Sequence, residues 1–342
     1  MKNKFDRIVI LIPALNPNEG IIKLVKELTD EKFSNIVVIN DGSNDENKKY
    51  FDILKNELNI KVLEHDVNYG KGRALKNGIK EVYNDNILGV ITVDADGQHL
   101  VKDVKKVAIK LEEEEKIVLG ERDFKSSKEV PLASKLGNKF SSFYFKLLTG
   151  MYLKDTSTGL RGIPKKYFDL ALNTQGDRYD FEINFLKEMH YNKLKFNSVD
   201  IEVVYENRIR NYRIIKDSII IYKEFFKNLI SSLICAIVDI LLFWLFAEKI
   251  GIIFLANVLA RICSGILDFT INKYWVCNKK KSKKTFYEFI KYTILFVVQM
   301  LVNSLIVTIL SNIFGALILI KLIVNLVLYI INFFVKNRYI FI

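Results

Sequence analysis

Two carboxylates separated by one residue follow an apolar run in the first half of this chain of 342 residues. The run, Ile87–Val93, is nearly continuous in apolar character, which predicts a buried parallel strand. If the chain stays extended through Asp96, the side chains of Asp94 and Asp96 point to the same face of the sheet. Two like charges this close repel unless a cation or a donor-rich ligand lies between them. A hard divalent cation that also binds a substrate diphosphate would satisfy the pair, and a simple strand-end turn is the alternative.

Polar residues follow two further strand candidates. The candidates alternate with helical patterns, which indicates a parallel sheet built from βα units. They lie at roughly 7–13, 35–40, 61–64 and 88–94. In such sheets ligands bind beyond the carboxyl ends of the strands. Those ends carry Pro13–Asn16, Asn40–Ser43 and Asp94–Asp96, so the sequence predicts one site at one edge of the sheet.

A glycine-rich segment, Gly70-Lys71-Gly72-Arg73, also has a composition that suits phosphate. It would begin a helix with two cations nearby, an arrangement that favours an anion, although a plain loop-to-helix turn is the alternative. The segment lacks the Walker spacing, which argues against a kinase-type P-loop. No Gly-x-Gly-x-x-Gly follows the first strand, which argues against a dinucleotide fold.

The second half of the chain has a different composition. Beyond about Asn228 long apolar runs dominate, and each is near the ~20 residues that a bilayer needs. They lie at about 229–248, 252–273, 289–311 and 316–335. The net charge of +12 arises from basic residues beside these runs, which favours anionic lipid head groups over a nucleic acid. The positive-inside rule predicts that both termini and the loop Lys279–Lys284 are cytosolic.

Three features complete the analysis of this half. Ionisable residues within the apolar runs are expected to face the bundle interior or an interface; they are Asp239, Arg261 and Lys321. The three cysteines have no metal-ligand spacing and give no case for a disulfide framework. No cleavable signal peptide is expected, because the amino terminus runs directly into a strand.

The second half also contains an internal repeat. Glu224–Lys227 matches Glu288–Lys291, 64 residues later, and the same offset places Asp268 against Asn332. With a slip of one residue, Asn272–Val276 matches Asn337–Phe341. The repeat predicts two helical hairpins of like orientation.

Taken together, the motifs of the first half resemble family 2 glycosyltransferases of GT-A fold, in the polyprenyl-phosphate branch that includes dolichol-phosphate mannose synthases. The matching motifs are Pro13–Glu19, Asn40–Asp45, Asn68–Ala74, Asp94–His99, Gly120–Arg122 and Asp155–Arg161. The second half resembles GtrA-like membrane domains, with Asp268, Lys273 and Cys277 as departures. The resemblance implies an α/β GT-A (Rossmann-like) cytosolic domain over 1–207. A juxtamembrane amphipathic segment over 208–228 and an all-α domain of four transmembrane helices over 229–342 follow it.

The resemblance also implies roles for individual residues. Catalytic roles fall on Asp94, Asp96 and Asp155, and Asp96 with Gln98 would bind Mg²⁺ or Mn²⁺. The implied nucleotide-sugar-binding residues are Pro13, Asn16, Glu19, Asp41, Lys71 and Asp94, with Asp41 contacting the base. The implied acceptor-phosphate residues are Arg122, Lys135, Arg210 and Arg213. Open alternatives are a turn role for Asp41, a surface charge for Arg122 and a helix cap for Asp155. His99 is expected to be structural.

The activity implied by the resemblance is transfer of a hexose from a UDP- or GDP-sugar to polyprenyl phosphate, either undecaprenyl or dolichyl phosphate, with inversion. The product would feed cell-envelope or protein glycosylation. Because the lipid phosphate oxygen is already anionic, a strong base is hardly needed, and Asp155 is expected to position groups. The protein would be a multi-pass cell membrane protein, without nucleic-acid partners and compatible with a homodimer or homotetramer. The alternative is a translocator of the lipid-linked sugar, with a path through the GtrA-like half.

Overall fold

The protein is described by a computed structural model. The structure describes residues 5–122, 124, 132–202, 223–250, 253–276, 285–314 and 317–340. The chain divides into two compact units, Met1–Ile221 and Tyr222–Ile342. We call them the α/β unit and the helical unit.

A mixed sheet forms the centre of the α/β unit. Its strands in the described residues are β1 (Ile8–Ala14), β2 (Asn35–Asn40), β3 (Lys61–Glu64), β4 (Gly89–Thr92), β5 (Ile117–Arg122), β6 (Arg161–Pro164) and β7 (Phe196–Ile201). Their order across the sheet is β3-β2-β1-β4-β6-β5-β7. The strand β6 is antiparallel to β4 and β5, whereas the other neighbours are parallel. The predicted α/β architecture is confirmed, but the antiparallel strand β6 was not predicted.

Helices cover both faces of this sheet. They are α1 (Gly20–Asp30), α2 (Asp45–Asn56), α3 (Lys71–Glu81), α4 (Val101–Glu114), α5 (Leu132–Thr149), α6 (Phe168–Asn173) and α7 (Asp180–Tyr191). Ile8, Ile10 and Ile12 of β1 pack with residues of α1, α2 and α4. Val9 and Leu11 pack on the other face with residues of α3, α5, α6 and α7. Side chains alternate along a strand, so β1 is buried on both of its faces. This burial explains why β1 is apolar throughout.

The end of β4 differs from the sequence prediction. Pairing with β1 ends at Leu11 and Thr92, so the strand stops two residues before Asp94. The chain then turns at Ala95 and Asp96, and Gly97 follows with φ +78. The Asp96 carboxylate accepts a bond of 3.0 Å from the backbone N–H of Gln98, a local turn that competes with extension. The assumption that the strand extends through Asp96 was therefore wrong.

The helical unit contains four helices among its described residues. They are α8 (Lys223–Ile250), α9 (Ile253–Ile271), α10 (Thr285–Phe314) and α11 (Leu317–Val335). A π-helical turn follows α9 at Asn272–Val276 and another follows α11 at Lys336–Ile340. Within the described part of the chain, no helix combines the length and the apolar character needed to cross a membrane.

The internal repeat has a structural counterpart in two lysine contacts. Lys227 Nζ donates to the carbonyl oxygen of Trp275 at 2.9 Å, and Lys291 Nζ donates to that of Tyr339 at 3.2 Å. Both lysines and both carbonyls are 64 residues apart, as are the two π-helical turns. Trp275 therefore corresponds to Tyr339, and the predicted slip of one residue was wrong. The sequence comparison aligned the two tyrosines, Tyr274 and Tyr339, because they are the same residue type. In the structure the equivalent positions are those whose carbonyl oxygens accept the lysine bond, Trp275 and Tyr339.

Two buried ion pairs join the repeats of the helical unit. Lys273 Nζ lies 2.7 Å from Glu288 Oε2, and Lys336 Nζ lies 2.7 Å from Asp268 Oδ2. Asp239 accepts a bond of 2.8 Å from the Ser264 hydroxyl. The side chains of Arg261 and Lys321, the loop Lys279–Lys284 and residues 203–222 lie outside the described residues.

Candidate active site

Asp94 lies at the centre of a cluster of charged side chains beyond the end of β4. Its Oδ1 lies 2.6 Å from Nζ of Lys71, and its Oδ2 lies 3.3 Å from Nε2 of His99. Lys71, the first residue of α3, also lies 2.5 Å from Oε1 of Glu182 on α7. Burial opposes the charge of Lys71, but Asp94 and Glu182 together raise its pKa. Burial likewise opposes the charge of Asp94, and Lys71 and His99 lower its pKa well below the usual range.

A glycine lies directly against the Asp94 carboxylate. The Thr92 hydroxyl donates to the carbonyl oxygen of Gly159 at 2.6 Å, which holds the backbone of Gly159 beside the end of β4. A Cβ at position 159 would lie 2.2 Å from Asp94 Oδ2. Only glycine therefore lets the backbone approach the carboxylate this closely. This contact gives a physical reason for glycine in the motif Asp155–Arg161.

Asp96 has the properties expected of a cation ligand. Its side chain reaches the surface, yet the protein atoms crowded around its carboxylate and the charge of Asp94 raise its pKa. A bound cation would offset the repulsion between the carboxylates of Asp94 and Asp96. Carboxylate and amide oxygens, such as those of Asp96 and Gln98, suit Mg²⁺ or Mn²⁺. Among the described residues no group of three His, Cys, Asp or Glu side chains could hold a metal ion. The residues present fit an ion that takes its remaining ligands from the substrate.

Arg122 and Asp155 form a bidentate ion pair. Arg122 Nε lies 2.6 Å from Asp155 Oδ2, and Nη2 lies 3.2 Å from Oδ1. The Arg122 side chain is 17% exposed and that of Asp155 is 0% exposed, so within the pair only Arg122 reaches the surface. Burial opposes the charge of Arg122, but Asp155 raises its pKa, with smaller contributions from Asp94 and Glu182. Asp155 also shares a loop with Gly159, which packs against Asp94.

A second arginine, Arg161, holds two segments of backbone together. Arg161 on β6 is buried and donates to backbone oxygens of Thr158 at 3.0 Å and Glu182 at 2.9 Å. Burial lowers its pKa. Since its donors bind backbone carbonyls, Arg161 joins the loop before β6 to the helix that carries Glu182.

Asp41 lies at the end of β2 and is held differently from Asp94. Its Oδ1 accepts bonds from the backbone N–H of Tyr69 at 3.0 Å and from Nδ1 of His65 at 2.8 Å. Its Oδ2 accepts a bond from the backbone N–H of Gly70 at 2.8 Å. Two backbone N–H groups and the His65 ring thus hold this carboxylate against the loop that precedes α3.

The other predicted nucleotide-sugar residues occupy the ends of β1 and α1. Asn16, which has φ +49, donates its backbone N–H to the Ser43 hydroxyl at 2.8 Å and accepts from the backbone N–H of Asn44 at 2.8 Å. It therefore ties the end of β1 to the loop that contains Asp41. Pro13 lies in β1, and Glu19 is exposed next to the first residue of α1.

The glycine-rich segment places its two cations on carboxylates. Lys71 binds Asp94 and Glu182, whereas Arg73 Nη2 lies 2.8 Å from Asp177 Oδ2. Both cations were expected to face a bound anion. In the structure each of them is already paired with a carboxylate, which would compete with that anion. The predicted acceptor residue Lys135 lies in the first turn of α5, and Arg210 and Arg213 lie outside the described residues.

Two contributors to this region were missed by sequence reasoning. Glu182 lies in the first turn of the amphipathic helix α7, where a lone glutamate carries no motif signal. His65 follows β3 directly, and its position after a strand that pairs with β2 was the one available hint. Both become visible only when the fold brings them to Lys71 and Asp41.

Comparisons with known families divide this chain into two parts. The model of glycosyl transferase family 2 matches residues 9–170. The model described as GtrA/DPMS, transmembrane domain, matches residues 227–341. The two matches fall in the α/β unit and the helical unit respectively.

Individual relatives match mainly the length of the α/β unit. An uncharacterised protein of Methanocaldococcus jannaschii is 35% identical over 206 residues, which is 58% of this chain and 82% of that protein. The UDP-N-acetylglucosamine–dolichyl-phosphate N-acetylglucosaminyltransferase of Methanococcus voltae is 33% identical over 215 residues, 58% of this chain and 86% of that protein.

Among solved structures, glucosyl-3-phosphoglycerate synthase of Mycobacterium tuberculosis, in complex with Mn²⁺, UDP and phosphoglyceric acid, matches with a TM-score of 0.49. It is 16% identical and covers 66% of this chain and 78% of its own. A similarity of this size does not bear on ligands.

Proposed function

We propose that this chain, which belongs to glycosyl transferase family 2 and carries a GtrA/DPMS transmembrane domain, transfers a hexose from a nucleotide-diphosphate sugar to polyprenyl phosphate. It is a glycosyltransferase on family grounds. The polyprenyl-phosphate acceptor is supported by a relative that acts on dolichyl phosphate. The observation that carries the proposal is that Asp94 contacts both Lys71 and the loop that carries Asp155 and Gly159, and that Asp155 holds Arg122.

The donor would bind across the ends of β1, β2 and β4, in a GT-A arrangement. Asp41 would contact the base, Asn16 would hold its loop, and Lys71 would face the diphosphate. Asp96 and Gln98 would hold Mg²⁺ or Mn²⁺, which when bound supplies positive charge to the departing diphosphate. Lys71 already balances two carboxylates, so a diphosphate would compete with Asp94 for the same ammonium group.

The acceptor phosphate would bind at Arg122. A planar guanidinium matches phosphate oxygens and stays charged at every relevant pH. Asp155 fixes the orientation of the guanidinium from behind and, being fully buried, acts as a positioning residue. An anionic oxygen of the lipid phosphate forms the new bond to the anomeric carbon while the bond from that carbon to the diphosphate oxygen breaks. In-line geometry inverts the configuration at the anomeric carbon, and the nucleoside diphosphate leaves.

The helical unit would hold the enzyme at the lipid acceptor. We propose four membrane spans over 229–342 and a juxtamembrane segment over 208–228, with the catalytic domain of 1–207 and both termini in the cytoplasm. The family match to a transmembrane domain and the long apolar runs support this arrangement. Tethering near the head groups raises the effective concentration of the acceptor phosphate. Dimers or tetramers are compatible with this arrangement.

A transfer assay tests the proposal. The full chain in lipid vesicles is given labelled UDP-N-acetylglucosamine, UDP-glucose or GDP-mannose, together with dolichyl or undecaprenyl phosphate. We expect a labelled polyprenyl-phosphate sugar from at least one donor. Unphosphorylated dolichol is the matched acceptor control and should give no product. The absence of lipid product with every donor, or equal labelling of the unphosphorylated alcohol, would overturn the proposal. Transport of preformed product by an Asp94→Asn variant that makes no product would instead identify a translocator.

A further inference from the structure

The helix α5 exposes a row of large apolar side chains. They recur at intervals of three or four residues, so they lie on one face of the helix. They are Leu132, Leu136, Phe140 and Phe143, with exposed fractions of 77%, 66%, 56% and 57%. The helix α2, by contrast, exposes mainly charged side chains, among them Asp45, Glu46, Lys48, Lys49 and Asp52. An exposed apolar face of this length indicates a contact with another surface.

A row of lysines borders the apolar face of α5. At about 100° per residue, the four apolar side chains fall within an arc of about 80°, and three lysines fall within the adjoining arc of about 60°. These lysines are Lys135, Lys139 and Lys146. An apolar face with cations along its border is the pattern of a helix that lies in the head-group layer of a membrane. Tyr152, whose exposed ring has its centre 6.0 Å from Lys146 Nζ, adds an aromatic group of the interfacial type.

The charges of α5 favour a lipid surface over a second copy of this chain. The segment 132–149 contains no aspartate or glutamate. A contact between the α5 faces of two copies would therefore offer the lysines of one copy no carboxylate from the helix of the other. Anionic lipids offer a phosphate group to each lysine and an acyl layer to the apolar side chains, so they complement both parts of the surface.

The opposite side of α5 is tied to the loop that carries Asp155. Asn138 Nδ2 donates to the Lys154 carbonyl oxygen at 2.7 Å, and the Ser142 hydroxyl donates to the same oxygen at 3.1 Å. The next residue, Asp155, holds Arg122 in the bidentate ion pair. The position of α5 is therefore linked through one short loop to the guanidinium that is proposed to bind the acceptor phosphate.

We infer that the apolar face of α5 docks into the head-group layer of an anionic membrane and presents Arg122 to the phosphate of the lipid acceptor. The inference rests on the proposed function and adds a lipid contact made by the α/β unit itself. An acceptor dissolved in water gains nothing from such a face. The surface therefore matters for transfer to polyprenyl phosphate in a bilayer and does not matter for transfer to a dissolved prenyl phosphate.

Fluorescence quenching by lipids tests the contact without reference to activity. The full chain, in a Cys235→Ser/Cys263→Ser/Cys277→Ser background, receives one labelled cysteine through Phe143→Cys or, as the control on α2, through Lys49→Cys. It is placed in phosphatidylcholine–phosphatidylglycerol vesicles whose lipids carry a nitroxide near the head group. We expect strong quenching at position 143 and little at position 49. Equally weak quenching at both positions would overturn the inference, as would a disulfide between two copies at position 143.

Acceptor kinetics test what the apolar face does. Leu136→Ser/Phe143→Ser should raise the KM for undecaprenyl phosphate in vesicles at least about tenfold, because apolar side chains lose their place in the lipid. Kinetics with dissolved geranyl phosphate should stay at the wild-type level. An equal loss with both acceptors would indicate a structural role, and an unchanged KM in vesicles would indicate none; either result would overturn the inference. No transfer by the wild type to either acceptor would contradict the proposed function itself, whereas the quenching result would still report on the lipid contact.

A change of charge tests the lysine row. Each lysine near an anionic surface contributes about fivefold to membrane binding, so Lys139→Glu/Lys146→Glu should raise the KM at least about tenfold in vesicles that contain phosphatidylglycerol. In vesicles of phosphatidylcholine alone the change should be much smaller. Lys26→Glu/Lys49→Glu, the same charge change on α1 and α2 at the opposite face of the sheet, is the matched control and should leave the KM unchanged. Equal effects of the two double variants would contradict a specific role for the α5 surface.

Discussion

The ends of β2 and β4 each present a carboxylate, but the two are held by opposite kinds of partner. Asp41 is bound by two backbone N–H groups and the ring of His65. Asp94 is bound by the ammonium group of Lys71 and the ring of His99, both of them side chains. We call the first the fixed end and the second the exchangeable end. Backbone donors cannot leave without refolding a loop, whereas a lysine side chain can rotate to another anion.

This difference suits the two parts of a nucleotide-diphosphate sugar. A base is recognised by shape and by a fixed pattern of donors and acceptors, which rewards a carboxylate that does not move. A diphosphate carries charge that must be neutralised and then released, which rewards partners that can be exchanged. At the exchangeable end Lys71 contacts both Asp94 and Glu182, so it would stay paired with Glu182 if a phosphate displaced Asp94.

The largest expected effect comes from removing charge at the exchangeable end. Asp96→Asn should reduce transfer by at least about a hundredfold, because a cation site loses its anionic ligand while packing is kept. Steady-state transfer kinetics measure the effect, and circular dichroism checks the fold. Excess chelator should bring the wild type down to the level of the variant and leave the variant unchanged.

The same substitution should leave base binding at the fixed end unchanged. Binding of uridine, which carries no phosphate, should be equal in Asp96→Asn and in the wild type. Full transfer activity in the variant, or in the wild type with excess chelator, would contradict the assignment of Asp96 to a metal.

A smaller effect is expected from substituting Arg122. This variant tests whether Arg122, which is paired with Asp155, also binds the acceptor phosphate. Arg122→Ala should raise the acceptor KM or lower turnover by roughly tenfold to a hundredfold, the value of a charge-assisted phosphate contact. Affinity for UDP should change little. Separate measurements of donor binding and acceptor kinetics decide the matter. A collapse of donor affinity with an unchanged acceptor KM would place Arg122 on the nucleotide side.

The double variant Arg122→Ala/Asp155→Asn separates stability from acceptor binding. Arg122→Ala leaves Asp155 buried without its ion-pair partner, a change that costs about 3–5 kcal/mol of unfolding free energy. Neutralising Asp155 should recover most of that loss, measured by denaturant unfolding, without recovering acceptor use. Recovery of both would show that Arg122 acts only through Asp155.

The α/β architecture and most of its charged strand ends could be predicted from the sequence, because local patterns carry them. The bounds of β2 and β3 were predicted as the structure has them; Asp41 directly follows β2, and Asp94 lies two residues beyond the end of β4. The strand candidate at 88–94 ends two residues earlier in the structure, and the condition that the chain stays extended through Asp96 is not met, because the Asp96 carboxylate accepts a bond from the N–H of Gln98 in a local turn. Ordinary β propensity does not register such a bond.

The partners of the charged residues were beyond sequence reasoning. Lys71 and Glu182 are more than a hundred positions apart, and no local pattern relates α3 to α7. Likewise, the sequence offered separate acceptor and positioning roles for Arg122 and Asp155, but not their bidentate contact. The antiparallel strand β6 was missed because its four residues, Arg161–Pro164, include a glycine and a proline, which are uncommon in strands.

The smallest expected effects come from two glycines, one at each end of the comparison. In Gly42→Ala the new Cβ meets backbone atoms of Val67 and Asn68 at 2.3 and 2.5 Å, and φ is +73. In Gly159→Ala the new Cβ meets the Asp94 carboxylate, with Oδ2 at 2.2 Å. A side chain can give way where a backbone cannot. We therefore expect Gly42→Ala to lower unfolding free energy by about 1–3 kcal/mol.

Gly159→Ala should lower that free energy less and weaken UDP binding more, because the displaced group is Asp94 itself. Gly137→Ala is the matched control, since its added Cβ meets no other part of the described chain within 4 Å and its position in α5 favours alanine. Denaturant unfolding and UDP calorimetry are measured on all three variants. If Gly42→Ala and Gly159→Ala lose stability and UDP affinity in the same proportion, the fixed and exchangeable ends respond alike. The distinction drawn from their hydrogen-bond partners would then fail, because a mobile carboxylate and an immobile one must differ in how they absorb an added methyl group.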